Sequence, residues 1–467
     1  MFNIRARCRF ASEAGPNPSL LLTLLLVLLG CQAIVCESLW AQDAAAPAAE
    51  PLPERGESCE ALASFDRLMR SFVAEHKIPG AALAVTRNCQ LIYARGFGYA
   101  DRDAREPVLP ETRFRIASIA KPITSATLLR LVDEGRLSLD DLLIQRLPRQ
   151  SDTGAPAQPA DSRWNQITVR QALQHRGGWD RDVSGDPMFR SRQIAKELAI
   201  DVPPGPTDIV RYMLNRPLDF DPDQRYAYSN FGYCVLGRVI ENATGRSYEE
   251  AVQETLLAPL GLTRMSIGRT FRSQRADGEA CYYEPGDPTT PALYGPQAGQ
   301  PVPVPYGAWY HEALDAHGGW IGSAVDLVRF ATVIQHAAIQ HAAPDGLLSP
   351  AMLNELRARP PEPAKADSEP AEAPSVYYGL GWSIRALETL DQLNYWHTGL
   401  LPGSSTLLVV RHDGLCWCVL FNTSHTDDGR IPSNVIDPLL HQAADEVRNW
   451  PERDRFPEFL TAPAIGR

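Results

Sequence analysis

Ser118-Ile119-Ala120-Lys121-Pro122-Ile123-Thr124 opens a stretch of small and apolar residues that runs to Leu131 and closes on Asp133-Glu134-Gly135. Residues 118–134 read as one buried helix. Ser118 stands at its start, and Pro122 falls in the first turn, where a missing N–H is harmless. Gly135 suits the residue that ends it. Ser118 and Lys121, three apart, share a face of that helix start. A serine hydroxyl is a weak nucleophile until a base takes its proton. A lysine can be that base only if its pKa falls from about 10.4 toward neutrality, and burial among Ile116, Ala117, Ile119 and Ala120 would lower it. Alone, the pair decides nothing, because average Ser and Lys frequencies would give about two such spacings by chance over this length.

Two later segments add chemistry. Tyr228-Ser229-Asn230 precedes the helical pattern Phe231-Gly232-Tyr233-Cys234-Val235-Leu236-Gly237. A phenol beside an ammonium is expected to have its pKa lowered, enough to relay a proton to a leaving group. The Asn230 amide can hydrogen-bond a substrate amide or the lysine. His397-Thr398-Gly399-Leu400 ends a strand-like run from Leu393. A strand edge there could take a substrate as an added strand, with Gly399 allowing close backbone approach and one N–H facing an oxyanion.

Ser-x-x-Lys, Tyr-x-Asn and His-Thr-Gly, in that order, resemble the serine β-lactamase and penicillin-binding-protein superfamily, in its class C-like branch. Ile78-Pro79-Gly80-Ala81, Phe114-Arg115-Ile116-Ala117, Gly135-Arg136-Leu137-Ser138-Leu139-Asp140, Pro259-Leu260-Gly261-Leu262, Gly318-Gly319-Trp320 and Tyr378-Gly379-Leu380-Gly381-Trp382 extend the likeness over residues 60 to 445. The resemblance implies an acyl-enzyme mechanism that needs no cofactor, and since the sequence has no Cys-x-x-Cys, His-Glu-x-x-His or EF-hand pattern, no metal is expected. In that mechanism Ser118 attacks a carbonyl, Lys121 and Tyr228 exchange protons, and Asn230 orients the substrate. His397, Thr398 and Gly399 bind substrate, and the backbone N–H groups of Ser118 and Leu400 form the oxyanion hole. Its substrates are D-amino-acid peptides, esters or β-lactam-like compounds. Lysine is usual where this chain has His397. A histidine titrates near pH 6.5, so carboxylate capture there is expected to be weaker or pH-dependent. Asp221-Pro222-Asp223 replaces a usual Pro-Gly, a local change. His175-Arg176-Gly177-Gly178 resembles a structural turn below the cleft.

The rest of the chain frames that reading. Helical periodicity covers Leu62 to Val73, and strand-like runs at Ala81–Thr86 and Leu91–Phe97 flank a turn at Asn88-Cys89. Thr168 and Gln171 form a capping box. Helical patterns fill 231–243 and 248–257. Strands return at Leu380–Ile384, Leu393–His397, Thr406–Arg411 and Leu415–Phe421, with a hairpin turn at Asp413-Gly414 and a closing helix near 432–447. Strands at both ends around a helical middle predict an α/β (α+β) fold. Its sheet is mostly antiparallel and flanked by helices, with an inserted all-α lobe and a cleft between them. The Pro- and Gly-rich stretch 268–316 is expected to shape that cleft, and 358–376 to be a mobile insertion.

At 467 residues with net charge -11, the chain lacks the basic surface that nucleic acid requires. Arg5, Arg7 and Arg9 before the apolar run Leu20 to Leu29 read as an export leader, giving a periplasmic or extracellular protein. Cleavage after Ala41 would release it; cleavage before Cys31 would leave a lipid anchor at that cysteine; an uncleaved anchor is a third outcome. The domains follow as leader 1–41 (to 30 for the lipoprotein), Ala/Pro/Glu spacer 42–58, hydrolase domain 59–447 and tail 448–467. Six of the nine cysteines lie beyond the leader. Cys416 and Cys418 share one strand face, and Cys59 with Cys89 is the one bridge expected. A catalytically silent surface-binding protein of the same fold is the rival reading. An α/β-hydrolase is excluded because no Gly-x-Ser-x-Gly occurs.

Overall fold

Four segments are buried at nearly every position, the pattern of strands covered on both faces. They centre a nine-stranded antiparallel sheet. Its strands include β1 (Glu54–Arg55), β2 (Gly80–Arg87), β3 (Gln90–Asp101), β4 (Val376–Tyr378), β5 (Ser383–Ala386), β6 (Leu393–Leu401), β7 (Ser404–Val410) and β8 (Leu415–Phe421). In space they run β1-β3-β2-β8-β7-β6-β5-β4, with Glu106–Pro107 added beside β3. The pairing of β2 with β8, Val85 opposite Trp417, joins the two ends of the chain as expected. This computed structural model describes residues 51–148, 158–340, 347–361, 375–387 and 392–459. Leu52–Arg467 form one compact unit.

Period-two alternation sorts side chains into two cores. On β2 and β8, Ala81, Leu83, Val85, Trp417, Val419 and Phe421 face one side. There they meet α1 (Ala63–Glu75) and the closing helix Pro432–Asp445. Ala82, Ala84, Cys416, Cys418 and Leu420 face the other side, so the two cysteines do share a face. That core continues into the inserted lobe through α2 (Ala120–Asp133), α3 (Asn230–Thr244) and α4 (Ala324–Gln340). The closing helix Pro432–Asp445 is α5. Besides helices, the lobe holds two small antiparallel sheets, one joining Phe114–Arg115 to Trp320–Gly322 and Ser266–Ile267.

Several local expectations hold. Asn88 and Cys89 adopt φ +48 and +65 between β2 and β3. The Thr168/Gln171 capping box forms, and Gly245 closes α3 in the left-handed region.

Others need correction. The spacer ends earlier than residue 58, because Glu54–Arg55 pair with Gly96 and Phe97. Glu54 is further held by Arg70 and Arg95. Chain beyond 447 is also integrated: Phe456 is buried and Arg455 N–H donates to Leu91 O. Leu380 lies in a turn, with Gly381 at φ +87, and β5 starts only at Ser383. Cys59 and Cys89 are free thiols, like Cys234, Cys281, Cys416 and Cys418. Cys89 is committed to the hairpin turn, whereas Cys59 leads into α1, so separate elements set the two backbones. The leader and residues 362–374 of the insertion lie outside the described residues.

Candidate active site

Ser118 sits in a 3-10 turn, Ala117–Ile119, that runs directly into α2. The backbone before it is clamped from both sides. Ile116 N–H donates to Trp320 O, while the β7 hydroxyls of Ser404 and Thr406 donate to Arg115 O and Ile116 O. Ala117 is held at φ +49, a strained value for a residue with a side chain. Gly399 on β6 permits this approach, since a Cβ there would collide with Ile116 O and Thr406 Oγ1. Its small size therefore serves the protein's own backbone rather than the substrate's. β5 pairs with β6 only as far as Trp396, so the β6 edge beyond it is left to the Ser118 turn and the cleft.

The three distant stretches converge. Lys121 Nζ lies 3.1 Å from Ser118 Oγ, 2.8 Å from Asn230 Oδ1 and 3.0 Å from His317 O. The Tyr228 hydroxyl donates to Ser118 Oγ at 2.8 Å. Lys121 is wholly buried, and burial holds its pKa well below the ordinary lysine value, with Asp186 opposing and Arg181 adding to the shift. A neutral amine has two N–H bonds and one lone pair. With Asn230 Oδ1 and His317 O accepting both hydrogens, the lone pair is left facing Ser118 Oγ.

Tyr228 departs from expectation. Burial pushes its phenol up, and the hydrogen bond to Ser118 only partly offsets this. The aromatic rings of His175 and Tyr378 enclose the surroundings, His175 lying 4.3 Å from Tyr228 and 4.6 Å from Tyr378, centroid to centroid. Tyr228 is thus a neutral donor, not a phenolate. His175 Nδ1 accepts from Ser229 N–H at 3.1 Å, which makes the His175 turn a support for the Tyr-x-Asn segment.

His397 is the larger correction. Its imidazole is buried, 4% exposed. Nδ1 is 2.7 Å from Thr398 O and Nε2 is 3.0 Å from the Tyr378 hydroxyl. Burial, reinforced by Lys121, pushes its pKa down to about 3. It is neutral throughout pH 5 to 8 and offers no cation to a carboxylate. Desolvation, a tertiary effect, removes the titration expected near 6.5.

A cleft of about 670 Å³ opens over Ser118. Tyr228, Asn230, His397, Thr398, Gly399 and Leu400 all line it, so every residue singled out for substrate contact reaches it. Arg181, Asp182 and Asp186 line it too and were missed in the sequence. Their only signal is a dense run of charge after Trp179, in a loop without periodicity. Phe189, Tyr226 and Leu400, 43%, 48% and 42% exposed, give the rim an apolar character. The stretch 268–316 contributes no lining residue among those described. Instead its carbonyls at Arg269 and Pro305 accept from the Arg115 guanidinium, which also lies over Tyr282. That segment braces the backbone leading to Ser118.

Residues 65–437 match the protein family described as Beta-lactamase. This chain belongs to the beta-lactamase family. As a family member it is 26% identical over 220 residues to Protein flp of Staphylococcus aureus (strain COL). That match takes in 46% of this chain and 40% of flp, so the chain spans less than half the length of this curated relative. Among solved structures, the octameric penicillin-binding protein homologue from Pyrococcus abyssi superposes with TM-score 0.59 at 24% identity, covering 84% of this chain and 79% of that one. A D-stereospecific amidohydrolase from Streptomyces sp. superposes with TM-score 0.54 at 25% identity, covering 77% and 94%. The mixed α/β architecture with its large antiparallel sheet is the one these proteins share.

Proposed function

We propose that this protein is an exported serine hydrolase that cleaves an amide or ester bond through an acyl-enzyme on Ser118. The observation that carries this is the contact of Lys121 Nζ, wholly buried, and the Tyr228 hydroxyl with one Ser118 oxygen. Lys121 takes the Ser118 proton as Oγ bonds to the substrate carbonyl carbon. The C–N or C–O bond then breaks, and Tyr228, still protonated, is placed to donate to the departing group while the lysine's proton replaces its own. Water releases the acyl group by the reverse proton path. The N–H groups of Ser118 and Leu400 are the proposed oxyanion donors; losing one such donor typically costs about 3–4 kcal/mol of transition-state stabilisation.

An acyl group with an apolar side chain suits the rim of Phe189, Tyr226 and Leu400. The similarity to a D-stereospecific amidohydrolase supports D-amino-acid amides or peptides as the first class to try. With His397 neutral, efficient β-lactam turnover through carboxylate capture at that residue is disfavoured. Export rests on the Arg5-Arg7-Arg9 and Leu20–Leu29 leader, with either release after Ala41 or lipidation of Cys31 placing the protein outside the cytoplasm.

The test is labelling of the pure protein with a fluorophosphonate probe, Ser118→Ala as control, then a panel of nitrocefin, p-nitrophenyl esters and D-amino-acid amides with mass spectrometry of the Ser118 adduct. Labelling that vanishes in the control is expected. A parent protein that takes no label overturns the enzyme and favours the silent binder.

A further inference from the structure

We propose that Asp186 is a positioning residue for the base: it fixes the Asn230 amide so that Oδ1 faces Lys121 and the amine lone pair is left to Ser118. The inference rests on the acyl-enzyme reading above. Asn230 Nδ2 donates to Asp186 Oδ2 at 2.7 Å, and Asp186 Oδ1 accepts from Met188 N–H at 3.0 Å. A carboxylate of this kind can only accept, so the amide nitrogen must face it and the amide oxygen must face Lys121. Oδ1 is anchored in the turn Pro187–Phe189, which leaves Oδ2 a single orientation toward Asn230.

Without Asp186, nothing in this contact selects one flip of the amide over the other. A flipped Asn230 would present N–H groups to Lys121, free one amine hydrogen and let the lone pair turn away from Ser118. Asn230 also lines the cleft, so its amide can turn the second N–H toward substrate. Around Lys121 the remaining facing groups are Arg181, the phenols of Tyr228 and Tyr233, and the buried neutral His175, His317 and His397. Asp186 is the one that opposes loss of charge on the amine.

Two variants test it. Asp186→Ala removes the acceptor, and the acylation rate with a neutral p-nitrophenyl ester is expected to fall about 10- to 100-fold with KM little changed. Asp186→Asn drops the charge and has one amide oxygen for two partners, so with the cap on Met188 kept its nitrogen meets Asn230 and favours the flipped amide. Its rate is expected to fall as in Asp186→Ala, while the acidic limb of the pH profile moves to lower pH, because Lys121 then loses its proton more easily. A purely structural role would lower the melting temperature and the active fraction while leaving that limb in place. Should Asp186→Ala fail to fold, the Asp186→Asn profile alone decides. An unmoved limb in Asp186→Asn, or a full rate in folded Asp186→Ala, overturns the inference while parent labelling at Ser118 leaves the enzyme reading standing. A parent that takes no label at Ser118 overturns both.

Discussion

The His397 Nε2 atom lies 3.0 Å from the Tyr378 hydroxyl, and the opposite ring nitrogen is tied to the carbonyl of its own neighbour, Thr398. Tyr378 must donate, so Nε2 accepts and Nδ1 carries the proton. Because burial pushes the ring's pKa down to about 3, its NMR resonances are expected to stay at neutral positions from pH 8 to pH 5. A titration with a midpoint near the ordinary 6.5 would contradict this.

The same physics sets a stability profile. His175, His311, His317 and His397 are all buried with pKa values held below 6.5, burial being the first cause in each. As pH falls through 6.5 the unfolded chain takes up protons that the folded one refuses, so stability present above 6.5 is lost toward acid. Each histidine contributes up to about 1.4 kcal/mol per pH unit in that window. Urea midpoints at pH 7.5, 6.5 and 5.5 should therefore fall in that order; a flat series would exclude the effect.

Removing the proton machinery should act on rate rather than binding. Lys121→Ala is expected to cut acylation by about 10³-fold or more, and Tyr228→Phe by about 10²-fold, the scale of general acid–base terms. Stopped-flow acylation with a p-nitrophenyl ester measures the first, and turnover of an amide, whose amine leaving group needs a proton, measures the second. A Lys121→Ala enzyme within tenfold of the parent would remove lysine from the role of base.

Gly399→Ala places a methyl group against Ile116 O and Thr406 Oγ1, both of them held by hydrogen bonds. Overpacking of this kind costs about 1–3 kcal/mol. The strain should fall on the Ser118 turn, lowering the melting temperature and the labelling rate together. Normal labelling in a destabilised variant would show that the turn yields elsewhere.

Arg181 is the cation the cleft offers in place of His397. Its guanidinium lies 4.7 Å from the Tyr228 ring centroid, in the cleft that Ser118 also lines. Arg181→Ala is expected to raise KM several-fold for substrates bearing a carboxylate, by about 1 kcal/mol at this exposed site, and to leave neutral esters nearly unchanged. Equal effects on both classes would rule out charge recognition.

Much of this was legible before folding because it is local. Ser118 and Lys121 must share a face at a helix start, β2 and β8 must split their side chains between two cores, and Thr168 with Gln171 must cap a helix. Each follows from helix or strand period and from backbone groups needing partners within a few residues. The Tyr-x-Asn and His-Thr-Gly segments could be named as candidates by resemblance, and the structure then brought them to one cleft.

What the amino-acid order determined by itself was which groups are available and at what spacing. The tertiary structure alone decided their charge and aim: a lysine stripped of water, a phenol kept protonated, a histidine that cannot ionise, and an aspartate turned onto an asparagine. Those properties depend on desolvation and on neighbours distant in the chain, 44 positions apart in the Asp186–Asn230 contact and 196 in Lys121–His317. No local period of the sequence encodes them.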